Sequence, residues 1–231
     1  MLTPPEIARS LLAAGESKAR LPLGKMLLLA ILAGAYIALA GVGATAAAVT
    51  VESGSLAKLL SACVFPAGLS MVILAGSELF TGNCLMVMAL LERRITPAQL
   101  LRNWLTVYLG NAVGGAAVAA LAVYSHTASL FGDGLARSMV SIAESKAALG
   151  AGDAFLRGVL CNFLVCLAVW MAAASKRAEG KVIALFFPIL LFVLCGYEHC
   201  IANLYYLPAG AFAAAEYGME TTLTLLSLIH I

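Results

Sequence analysis

Residues 76–83 read Gly76-Ser77-Glu78-Leu79-Phe80-Thr81-Gly82-Asn83, and residues 196–203 read Gly196-Tyr197-Glu198-His199-Cys200-Ile201-Ala202-Asn203. The two octets share Gly-x-Glu-x-x-x-small-Asn at one spacing, and each follows a proline, Pro66 or Pro188, inside an apolar run. A glycine, a carboxylate and an amide in the middle of such a run predict a helix that breaks within the membrane. Broken backbone at that depth is tolerated only where it is buried in protein or lines a cavity. Two breaks at matching places are the mark of an internal repeat, and they point to a substrate path.

Working outward, the runs that hold these octets are residues 57–92 and 182–215, each too long for one span. Residues 26–51, 98–124 and 154–175 are also apolar and long enough, since a spanning helix needs about 20 such residues. The expectation is an all-α membrane protein in which spans two and five are broken. Spans one to three form one half and spans four onward the other, and three spans per half invert the second half relative to the first. Composition agrees: 62% of the 231 residues are hydrophobic and 11% charged, against about 25% charged in a soluble domain. A net charge of +2 leaves no footprint for nucleic acid. Glycines such as Gly34, Gly110, Gly114 and Gly115 predict close helix packing.

Ten Lys and Arg fall in the N-terminal segment and after spans two and four, and four fall on the other side. That bias puts the N-terminus in the cytoplasm. Residues 1–25 read as a cytoplasmic segment, with an amphipathic helix over 3–19 opened by Thr3 and two prolines. Residues 26–215 form the transmembrane domain, and residues 216–231 form a short or atypical tail.

The blocks ELFTGN, NWLTVYLGN, CNFLVCLAVW and FPILLFVLCGYEHCIANLYYLP resemble the formate/nitrite transporter family of formate, nitrite and hydrosulfide channels. The resemblance covers roughly residues 20–210. It implies an aquaporin-like fold, a homopentamer and one pore per protomer. It implies that His199 is the central pore histidine, that Thr81 faces it, and that Asn162 and Asn203 lie beside the pore. It places Lys146 in the outer vestibule and Glu198 before the histidine. Phe65 and Phe192 would form one apolar constriction, and Leu79, Phe80 and Val165 the other. Members have a sixth span, whereas the eleven residues 221–231 are about half that length and lack its motif. The chain therefore reads as stopping short of span six, or as a five-span protein open to lipid.

An ionisable residue inside a membrane span is expensive and marks function by default, which favours a pore role for His199. Glu78 and Glu198 read as structural acceptors for N–H groups that the breaks leave unpaired. Lys146 reads as a charge that raises local anion concentration. His126 and His230 read as bystanders. The expected function is transport of small monovalent weak-acid anions (formate, nitrite or hydrosulfide) with protons, pH-dependent through His199. It is expected in the inner (plasma) membrane, without enzymatic activity or cofactor. A channel for small neutral solutes shares the architecture, although asparagine–proline–alanine motifs are absent. A membrane-embedded redox or metal protein is the other alternative. Its pairs Cys161/Cys166 and Cys195/Cys200 lie five apart and diverge on a helix, so no metal site is expected.

Overall fold

The computed structural model describes residues 1–224 and 227. Nine helices build it: α1 (Pro4–Ala19), α2 (Leu23–Ala48), α3 (Gly54–Ala75), α4 (Phe80–Leu91), α5 (Pro97–Tyr124), α6 (Gly134–Ala147), α7 (Ala151–Ala173), α8 (Ala178–Leu194) and α9 (Cys200–Glu216). Helices α2, α3, α5 and α7 are each long and apolar enough to cross a membrane. Span two is the pair α3/α4 and span five the pair α8/α9, so both predicted breaks are present. Among the described residues there is no strand, and α5 has no counterpart in the second half. The part of the tail at residues 225–226 and 228–231, including His230, lies outside the described residues.

Both breaks open in the same way. Gly76 and Gly196 adopt φ of 75° and 70°, the left-handed region that glycine enters without strain. Ser77 N–H then reaches back to Val72 O at 3.0 Å, and Tyr197 N–H to Phe192 O at 3.0 Å. This is the closure of a Schellman motif, which satisfies carbonyls that the helix end would otherwise orphan. Leu79 and His199 follow in extended conformation at the N-cap positions of the next helices, and the His199 side chain caps its helix.

Helices α2 and α5 cross in close contact because glycines remove the side chains between them. A Cβ on Gly34 would overlap Asn111 O, and a Cβ on Gly114 would overlap Ile31 O. That approach lets the Asn111 side chain on α5 serve the first break. Its Nδ2 donates to Ala30 O at 2.7 Å and Glu78 O at 3.0 Å, and its Oδ1 accepts Phe80 N–H at 3.0 Å. One amide thus ties span one, span three and the break together, leaving fewer backbone groups there unpaired.

Helix α1 has the predicted cap: Thr3 N–H and hydroxyl both bond Glu6 Oε2 at 2.7 Å. That backbone N–H holds the Glu6 carboxyl below its ordinary value. Between spans three and four, α6 is a second amphipathic helix that buries Leu135, Met139, Val140 and Ala143. Their spacing follows the helical period, but the helix is short and carries few apolar residues.

Candidate pore and its two lysine–glutamate–asparagine clusters

The breaks meet at the centre of the bundle. Thr81 Oγ1 lies 3.0 Å from His199 Nε2, and both residues are buried. His199 Nδ1 accepts Ala202 N–H at 3.0 Å, as the N-cap of α9. A nitrogen that accepts carries no proton, so in the neutral ring the proton sits on Nε2 and points to Thr81. Phe192 stacks on the imidazole with ring centroids 5.6 Å apart, and Phe65 meets Phe192 edge-on at 5.7 Å.

His199, Phe192 and Phe65 border a chamber of about 10 Å³, lined also by Ile37, Leu69, Leu79, Val165 and Ile189. Four of the five expected constriction residues are there. Phe80 does not line the chamber; it lines the cavity that also holds Thr81 and His199, and meets Trp104 and Tyr108 edge-on.

Lys146 and Glu198 border a cavity of about 380 Å³ that ends on Phe65, Phe192 and His199. Asn162 and Asn203 line a third cavity, of about 680 Å³, beside Thr81 and His199. Neither asparagine's Oδ1 has a partner among the described residues, although both atoms are buried.

The glutamates do not accept backbone N–H groups as expected. Glu198 Oε2 takes Lys146 Nζ at 2.7 Å and Asn203 Nδ2 at 3.0 Å. Glu78 takes Lys18 Nζ at 2.7 Å and Asn83 Nδ2 at 2.7 Å, and Lys18 also donates to Asn83 Oδ1 at 2.9 Å. The Schellman closures, with Asn111 and the Glu78 N–H bond to Leu29 O at the first break, meet part of the backbone's need. The carboxylates instead hold lysines arriving from the amphipathic helices α1 and α6. Lys18 and Asn83 were missed by sequence reasoning, yet a signal was present: Glu16-Ser17-Lys18-Ala19 recurs as Glu144-Ser145-Lys146-Ala147. The repeat therefore includes the amphipathic helices.

Each glutamate is largely buried, so removing only its lysine leaves a buried charge, at a loss of about 3–5 kcal/mol. Lys146→Met is expected to lower the thermal midpoint in detergent, and Lys146→Met/Glu198→Gln to recover most of the loss. A single variant as stable as wild type would show that the pair contributes nothing to stability.

The family model described as formate/nitrite transporter matches residues 5–230. The chain belongs to the formate/nitrite transporter family. It is 39% identical over 229 residues to a probable formate transporter of Methanothermobacter thermautotrophicus, covering 91% of this chain and 83% of the relative. It is 34% identical over 224 residues to the formate channel FocA of Escherichia coli (strain K12), covering 94% and 78%. Among solved structures, an FNT family ion channel superposes with TM-score 0.86 at 30% identity, over 98% of this chain and 89% of that one. A pentameric formate channel with formate bound superposes with TM-score 0.79 at 30% identity, over 90% and 87%. The chain is a membrane transport protein and not an enzyme.

Proposed function

We propose that this protein conducts small monovalent weak-acid anions together with protons, formate foremost, with nitrite and hydrosulfide as further candidates. The observation that carries the reading is the chamber, where the His199 imidazole, with the Thr81 hydroxyl 3.0 Å behind it, is the polar group among apolar side chains. An unpaired anion in such surroundings loses tens of kcal/mol of hydration in the Born limit, and in practice is neutralised instead. Formate entering from the α6 side takes a proton, crosses as formic acid, and releases the proton beyond Leu79 and Val165. The unpartnered Oδ1 atoms of Asn162 and Asn203 suit this route, because they can accept an acid O–H and would repel an anion. Relatives and neighbours whose names specify formate support formate as the first substrate.

In this reading His199 supplies the pH dependence. Its Nε2–H donates to Thr81 in either protonation state. Uptake of a proton at Nδ1 requires release of Ala202 N–H, so protonation loosens the first turn of α9 and the stacked Phe192 with it. The protein sits in the plasma membrane with residues 1–25 in the cytoplasm, and residues 26–215 form the channel. It assembles as a homopentamer, as the superposed formate channel does.

The test is purified protein in liposomes loaded with a pH dye and given a formate gradient. Flux above protein-free vesicles, with one proton moved per formate, is expected. Formate movement without proton movement would overturn the neutral-acid route. Crosslinking in detergent is expected to give a ladder ending at five, and a ladder ending at two or four would overturn the pentamer.

A further inference from the structure

The cavity of about 680 Å³ carries a set of side chains that transport does not use. Four of the chain's six cysteines line it: Cys84 from α4, Cys161 and Cys166 from α7, and Cys200 from α9. The other two, Cys63 and Cys195, are exposed and lie outside it. Among the described residues no three of these groups converge as a metal site, so the cavity is a pocket of separate thiols.

Cys166 is the thiol best placed to react. Its S–H donates to Thr81 O at 3.7 Å, and its sulfur lies 3.8 Å from Asn162 Nδ2. The same Asn162 amide has a buried Oδ1 with no partner among the described residues. Asn203, only 7% exposed, brings a second such oxygen to the cavity. Bare acceptors suit a small guest with an O–H. A guest held on Asn162 Oδ1 lies one amide's width from the Cys166 sulfur. Thr81 completes this corner: its hydroxyl accepts His199 Nε2–H at 3.0 Å, which leaves its own hydrogen free to bond the guest.

Among the weak acids proposed as substrates, nitrous acid is the one that reacts with a thiol unaided. Formic acid has no such reaction, and hydrogen sulfide would need an oxidant. The sulfur lone pair forms an S–N bond, the N–OH bond breaks, and the hydroxyl leaves as water with the thiol proton. Nothing is oxidised or reduced, because nitrogen keeps its oxidation state. Thiolates ordinarily outrun thiols as nucleophiles, but nitrous acid is abundant only at acid pH, where thiols are protonated. Position then decides which cysteine reacts.

We infer that this cavity is an S-nitrosation site, at which nitrous acid held on Asn162 transfers its nitroso group to Cys166. The S–NO group adds two heavy atoms beside Thr81 and narrows the path for every substrate, and the modification is reversible. The inference rests on the neutral-acid route for the arrival of nitrous acid, but the reaction is measured on the cysteines themselves, so the two can be tested apart.

Protein in liposomes is treated with sodium nitrite at acid pH without oxygen. Its peptides are then mapped by mass spectrometry for NO in place of the thiol hydrogen. Cys166 is expected to be labelled roughly tenfold faster than Cys63 and Cys195, as site-selective thiol chemistry requires. Asn162→Leu is expected to remove most of that preference and to leave Cys63 and Cys195 labelled as before. Formate flux after treatment, relative to untreated protein, is expected to fall severalfold and to return with dithiothreitol. Cys166→Ser is expected to show no fall, and Cys166→Ala serves where serine disturbs folding.

Label spread evenly over the six cysteines, or concentrated on one other than Cys166, overturns the inference. So does full labelling of Cys166 with formate flux unchanged. Proton-coupled nitrite flux with no preference for Cys166 overturns it and leaves the route standing. Selective labelling of Cys166 in a protein that carries neither formate nor nitrite upholds the nitrosation site and overturns the route instead.

Discussion

Gly114→Ala is expected to abolish the folded protein, the largest effect of a single methyl group anywhere in the bundle. The new Cβ would overlap Ile31 O and stand 2.8 Å from Ala35 N, so it meets backbone, which cannot rotate away. Helices α2 and α5 would have to separate, which draws Asn111 from Ala30 O and from both of its contacts at the first break. The result combines overpacking, about 1–3 kcal/mol, with buried backbone groups left unpaired at about 1–3 kcal/mol each. Yield of monodisperse protein after detergent extraction is the measurement, with Gly82→Ala as the control. There the nearest atom to a new Cβ is the Val169 side chain at 3.6 Å, ordinary contact. A Gly114→Ala protein as monodisperse as Gly82→Ala would mean that the crossing is looser than its geometry.

His199→Asn is expected to flatten the pH response of formate flux while leaving the protein folded. The variant separates two duties of one side chain. Asparagine is among the best N-cap residues, so its Oδ1 can replace Nδ1 as the acceptor for Ala202 N–H. It has no proton to exchange between pH 5 and 8, the range in which histidine titrates. Wild-type flux is expected to climb as pH falls on the loading side, more steeply than the fraction of formic acid in solution. The asparagine variant is expected to follow that fraction alone. His199→Phe loses the cap as well, worth about 1 kcal/mol, and is expected to lower the thermal midpoint where the asparagine variant does not. A full wild-type pH profile from His199→Asn would assign His199 to capping only.

The breaks were legible because glycine, glutamate and asparagine have few reasons to sit together in an apolar run, and still fewer to do so twice at one spacing. His199 was legible for the same reason. The partners of Glu78 and Glu198 were not. Lys18 is 60 residues from Glu78 and Lys146 is 52 from Glu198, and only the docking of α1 and α6 joins them. The Glu-Ser-Lys-Ala repeat was in plain view, but its meaning depends on α6 being a helix, and that region is too polar to read as one beside such hydrophobic neighbours. Asn111 was quoted within a family-like block without a role, because an amide's value at a break depends on how closely two helices approach.

The chamber of about 10 Å³ has room for about one water, whereas formate has three heavy atoms. Passage therefore requires the molecule to swell locally before any charge or hydrogen bond is exchanged. The barrier has a mechanical part, work done against the packed side chains that line the chamber. Crossing then carries a positive activation volume, so hydrostatic compression slows it, in contrast to flow through a standing water-filled tube. The same packing that keeps the resting bilayer tight to ions makes each transit wait for a fluctuation of the core.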